Sequence, residues 1–120
     1  MKEINEYRKT SAEFVRLKYR KQWNQYWLDG KEFCNWSNWT PDTNLNQMGM
    51  IEDKLIEEEV DVETRSYLGY IYDDNEITDR PKTHVIKLRN HCGESFMGDS
   101  GEGESRPIAF MKAFMDYINK

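Results

Sequence analysis

The residues that could carry chemistry in this chain are few and lie far apart. Its only cysteines and histidines are Cys34, His84, His91 and Cys92. A zinc site would have to use all four, and their spacing matches no finger or ribbon, while the adjacent pair His91-Cys92 can rarely reach one ion together. Gly98-Asp99-Ser100-Gly101 spells a fragment of a serine-protease nucleophile loop. A triad also needs an orienting acid and an oxyanion hole on a scaffold that brings them together, and 120 residues do not build the double barrel that does so. The same glycine-rich stretch, leading into a helix, has the backbone for cradling a phosphate. Asp99, Glu102 and Glu104 would surround that anion with like charge, against Arg106 alone. Nor do these acids have the alternation of a calcium loop. The sequence therefore predicts a non-enzymatic protein with no metal and no cofactor, in which Cys34 and Cys92 are reduced thiols serving as small core residues.

Charge is the stronger signal. Residues 1–22 hold seven Lys or Arg against three Glu, whereas residues 42–63 hold eight Asp or Glu against Lys54 alone. A surface so divided can steer a partner of opposite sign. The acidic middle could occupy the basic channel of a protein that handles nucleic acid, by presenting a row of negative charge as a phosphate backbone does. The basic start, beside Trp23, Trp27 and other aromatics, has the makings of a groove with stacking groups, so nucleic acid itself is a second, weaker partner expectation.

The elements that must position these groups follow from periodicity. One domain, 1–120, is expected from the length. Sixteen aromatics supply the core area that a hydrophobic content of 38% would otherwise leave short. Ile4, Tyr7, Phe14 and Leu17 predict a basic helix over residues 3–21, with a break at Lys9-Thr10-Ser11 where Thr10 or Ser11 could cap a second helical piece, and Arg8, Lys9, Arg16, Lys18, Arg20 and Lys21 on its outer face. Asp29-Gly30 between aromatic flanks predicts a hairpin with strands at 23–28 and 31–36, Trp23, Gln25 and Trp27 sharing one face. Thr40 as cap and Pro41 in the first turn predict a helix over 42–60 with Leu45, Met48, Ile51 and Leu55 facing inward. The run Glu57-Glu58-Glu59 is misplaced at the negative end of that helix. Strands are expected at 66–72, 83–90 and 94–98, and a last helix over 106–119 whose apolar residues leave little polar face.

Two stretches, Pro41-Asp42-Thr43-Asn44-Leu45-Asn46 with Met48, and Ser105, Pro107, Ile108, Ala109 with Ala113, carry a resemblance. Over residues 23–120 the chain resembles the phage ABA sandwich domain, a family of small bacteriophage and prophage accessory proteins. The basic helix at 1–21 lies outside the match, and the acidic run at 57–63 and the segment Asp73–Pro81 depart from it. The resemblance implies an antiparallel sheet packed by helices and brings no catalytic residues. It also implies a bacterial host and a protein that blocks host machinery, including nucleic-acid-guided immunity; the charged and polar opening MKEINEYRK, with no basic-then-apolar signal pattern, predicts the cytoplasm.

The expectation is thus an α+β domain, a two-layer or α-β-α sandwich, acting as an anti-CRISPR-like inhibitor of a host protein with a basic surface. Glu57, Glu58, Glu59, Asp61 and Glu63, with Glu102 and Glu104, would make the contact. The alternative is a binder of a small nucleotide-like signal, held by Trp36, Trp39 and Arg106. A third reading is a homo-oligomer joined through the apolar C-terminal helix. Nothing in the sequence predicts a membrane span.

Overall fold

The computed structural model describes residues 2–67, 70–73, 76–79, 83–100 and 105–119. It is α+β with antiparallel strands, as the patterning predicts, and divides into two compact units, Met1–Glu58 and Glu59–Lys120. The strands expected to form a common sheet belong to separate ones: β1-β2-β3 in the first unit, and β4-β7-β8 with a β5-β6 pair in the second.

In the first unit, α1 (Lys2–Phe14) runs straight through the expected break at Lys9-Thr10-Ser11. Ser11 turns its hydroxyl back to donate to the Arg8 carbonyl at 3.2 Å, so it sits inside the helix instead of capping a new one. The helix stops seven residues before the predicted end. Leu17 donates its N–H to the Ala12 carbonyl at 2.8 Å and Arg16 donates to Glu13 at 3.1 Å, with Arg16 left-handed at φ 66°. This is a Schellman cap, and its usual apolar contact falls to buried Leu17 and Ala12. Arginine where glycine is the rule explains why the sequence hid the stop.

The chain turns at once into β1 (Lys18–Arg20), β2 (Gln25–Leu28) and β3 (Lys31–Asn35), an antiparallel meander. Asp29 at φ 52° and Gly30 at φ 78°, between paired Leu28 and Lys31, make the type I′ turn that the dipeptide predicts. A register shift between Tyr26 and Trp27 leaves Phe33 as the extra residue on β3. A 3-10 turn over Trp36–Asn38 then leads to α2 (Leu45–Glu57).

That helix starts three residues later than expected. The Thr43 and Asn44 N–H groups both donate to the Thr40 carbonyl, at 3.0 and 2.9 Å, so Pro41 and Asp42 lie in a tight turn. Asn44 is the cap, its side chain accepting the Gln47 N–H at 3.1 Å. Met48, Ile51 and Leu55 are buried as predicted, but Leu45, now the first helical residue, is 54% exposed. At the far end the Glu58 N–H reaches the Lys54 carbonyl and Glu59 adopts φ 64°.

In the second unit, β4 (Asp61–Tyr67) begins inside the acidic run, five residues ahead of the predicted strand. β5 (Tyr70–Asp73) and β6 (Glu76–Asp79) form a hairpin that the turn residues Asp73-Asp74-Asn75 signalled only as an end. β7 (Thr83–Arg89) and β8 (Ser95–Ser100) match the expected strands. Ile86, Leu88 and Phe96 are buried on one face, and the wetter face carries Lys87 and Arg89. α3 (Arg106–Ile118) packs on β7 and β8, burying Ala109, Phe110, Met111, Ala113 and Phe114. The two backbones come close at Gly98, where a Cβ would collide with the Ala109 carbonyl oxygen and the Ala113 nitrogen. No helix among the described residues is long and apolar enough to cross a membrane.

Candidate functional site: an aromatic cleft in the first unit

Asn5, Lys9 and Glu13 follow one another at i, i+4 spacing and form a polar row on α1, with Arg8 beside them. This row makes one wall of a cleft of about 480 Å³. The opposite wall is the inner face of the meander, where Tyr19 and Tyr26 stand directly opposite each other in the register. Their rings meet edge to face with centroids 5.8 Å apart. Leu17 closes the floor, and Trp36 and Ser37 of the 3-10 turn complete the rim. The cleft lies within the size range of small-molecule sites, and its make-up of aromatic walls with a few polar groups is the usual one.

The rim is held by an ion pair. Arg8 donates from Nε to Asp42 Oδ1 at 2.8 Å and from Nη2 to Oδ2 at 3.0 Å, a two-pronged bridge from α1 to the turn before α2. These bonds to the carboxylate push the Arg8 guanidinium above its usual range, so its charge is permanent. Trp39 is fully buried beneath, donating Nε1–H to the Arg8 carbonyl at 3.0 Å and to Ser11 Oγ at 3.2 Å. Behind them, burial first, and then the carboxylates of Asp42 and Glu52, push the Tyr7 phenol far above its usual range. Burial likewise raises Tyr26.

Of the residues predicted to hold a small ligand, Trp36 lines the cleft, half exposed. Trp39 is core, since an indole with both its ring and its N–H satisfied has nothing left to offer a ligand. Arg106 opens α3 in the second unit and is exposed. Lys9, Tyr19 and Tyr26 escaped the sequence reading. With residues 3–21 read as helix, Tyr19 has no partner strand and Lys9 belongs to an outer face turned to water.

The acidic residues distribute unevenly. Glu57, Glu58, Glu59 and Asp61 are exposed. Lys54 stands 4.0 Å from Glu57, a contact worth little at the surface. Glu63 receives a hydrogen bond from Arg65 Nε at 2.7 Å, and it faces Lys87 across the strand as Asp61 faces Arg89. Glu102 and Glu104 lie outside the described residues. Cys34 is half-buried, with burial raising its thiol pKa, and Cys92 is exposed in the β7–β8 turn, not in the core. Among the described residues no cluster of His, Cys, Asp and Glu is disposed to hold a metal ion.

No protein-family model, no curated protein and no solved structure matches this chain. The site's own chemistry therefore carries the functional argument.

Proposed function

We propose that this chain is a non-enzymatic binding protein whose first unit takes a flat, aromatic small molecule bearing negative charge, of the nucleotide class. The observation that carries this is the cleft between α1 and the meander. A planar ring fits against Trp36 and Tyr19, Asn5 and Ser37 offer hydrogen bonds to its edge, and Lys9 answers an anion at the rim, Arg8 being held by Asp42. Glu13 on the same wall selects against a ligand with charge over its whole surface.

A thermal-shift screen of nucleotides and their cyclic forms tests it. A ligand present at a hundredfold its Kd stabilises the folded state by about 2.7 kcal/mol, and that shift should vanish in Trp36→Ala and Lys9→Ala while the unliganded melting temperature holds. No shift from any nucleotide at millimolar concentration would overturn the reading.

A second reading is supported by the exposure of Glu57, Glu58, Glu59 and Asp61. In it the acidic segment docks on a basic groove of a host defence or nucleic-acid-processing protein. The resemblance to phage accessory proteins favours that partner class. Capture from a bacterial host lysate at low salt should fail when Glu57, Glu58 and Glu59 are reversed to lysine; undiminished capture would count against it.

A further inference from the structure

The meander has a second face, turned away from the cleft. Lys18, Trp27 and Glu32 are in register across its three strands, as are Arg20, Gln25 and Asn35. Side-chain contacts confirm that they share a side. Gln25 donates to Glu32 at 2.8 Å, and the Arg20 guanidinium carbon lies 5.7 Å from the Trp27 ring centre. Trp23, in the turn between β1 and β2, leans on Trp27 with centroids 5.5 Å apart. Trp23 is nonetheless 56% exposed. A tryptophan braced from one side and open on the other is costly in water and suited to receiving another flat ring.

We propose that this outer face binds single-stranded nucleic acid. Trp23, supported by Trp27, offers a stacking surface for a base, and Lys18, Arg20 and Lys21, all exposed, lie along the same strand and turn to meet phosphates. Opposing them on the face is the carboxylate of Glu32, already engaged by Gln25. Charge complementarity selects a polyanion, and the paired indoles select one that carries free aromatic faces, which excludes duplex DNA and acidic peptides. The site is independent of the cleft, since Tyr19 and Tyr26 point to the other side of the same strands.

The test uses the full chain and a fluorescently labelled oligothymidylate, followed by anisotropy and by tryptophan quenching. Binding should weaken with salt, with a log–log slope near −2, as about 0.7 per phosphate contact predicts for three cations. Trp23→Ala should weaken binding by about tenfold and leave that slope in place, because stacking is not screened. Arg20→Gln should flatten the slope, and Arg106→Gln, at an exposed cation of the second unit, should change neither quantity. Circular dichroism of each variant separates lost binding from lost folding. The proposal is overturned if the oligonucleotide does not bind at low salt, or if Trp23→Ala binds as tightly as the parent chain. Equal affinity for polyglutamate, or displacement of the oligonucleotide by a proline-rich peptide with higher affinity, would also overturn it.

Discussion

Arg8 grips Asp42 through two parallel hydrogen bonds, and the two partners are unequally buried: the Asp42 side chain is 3% exposed and that of Arg8 35%. The asymmetry sets the consequence of breaking the bridge from either end. Arg8→Ala strands a carboxylate with no route to water, which costs about 3 kcal/mol or more. Asp42→Ala leaves a guanidinium that can turn outward and hydrate, so its cost should be nearer 1 kcal/mol. Urea denaturation of both variants should give midpoints in that order; equal losses would mean that the carboxylate is better solvated than its burial implies.

Gly98 allows the backbone of α3 to lie on β8. The atoms that an added methyl would strike are a main-chain oxygen and nitrogen, besides Lys112 Cβ at 2.8 Å, and main chain cannot rotate away. Gly98→Ala should therefore destabilise by about 3 kcal/mol through forced separation of helix and sheet. Gly49 in α2 is the control, because a Cβ there meets nothing within 4 Å. Gly49→Ala should stabilise by about 0.8 kcal/mol through helix propensity alone.

Alkaline pH should attack the first unit through its tyrosines. Tyr7 and Tyr26 have folded-state pKa values raised above the usual 10.0, Tyr7 beyond reach of ordinary buffers. Above about pH 10 the unfolded chain releases these protons while the folded chain keeps them, so stability falls as pH rises. The loss approaches about 1.4 kcal/mol per pH unit for each phenol retained. Below pH 10 neither tyrosine contributes a slope. Tyr7→Phe should remove its share of the alkaline loss, measured as the change in melting temperature between pH 9 and pH 11; an unchanged dependence would show that other groups govern it.

Elements announced by local chemistry were legible in the sequence. Asp29-Gly30 specified its own backbone conformation, the alternation Val85 to Arg89 fixed one face of β7, and the density of apolar residues from Ile108 to Ile118 marked α3 as buried. What stayed hidden depends on backbone states that these side chains do not advertise. Arg16 and Glu59 both take left-handed conformations that cost an L-residue about 1–2 kcal/mol, so neither helix stop carried the glycine that would have signalled it. The cleft was obscured for the same reason. Once residues 15–21 are read as helix, Tyr19 has no partner strand, and the row Asn5, Lys9, Glu13 has nothing to face.

Gln47 has a consequence for how this chain can vary. Its side-chain amide accepts the Thr40 N–H at 2.6 Å and donates to the Asn38 carbonyl at 2.8 Å, so one carboxamide reads a stretch of main chain by its donor–acceptor order, much as one base reads another. Glutamate has the same shape but presents two acceptors, and would set a charged oxygen against the Asn38 carbonyl. Lysine presents donors only. The position therefore encodes a polarity as well as a size, and a substitution that preserves volume without that order would unfasten the segment carrying Trp36 and Trp39 from the helix that anchors it.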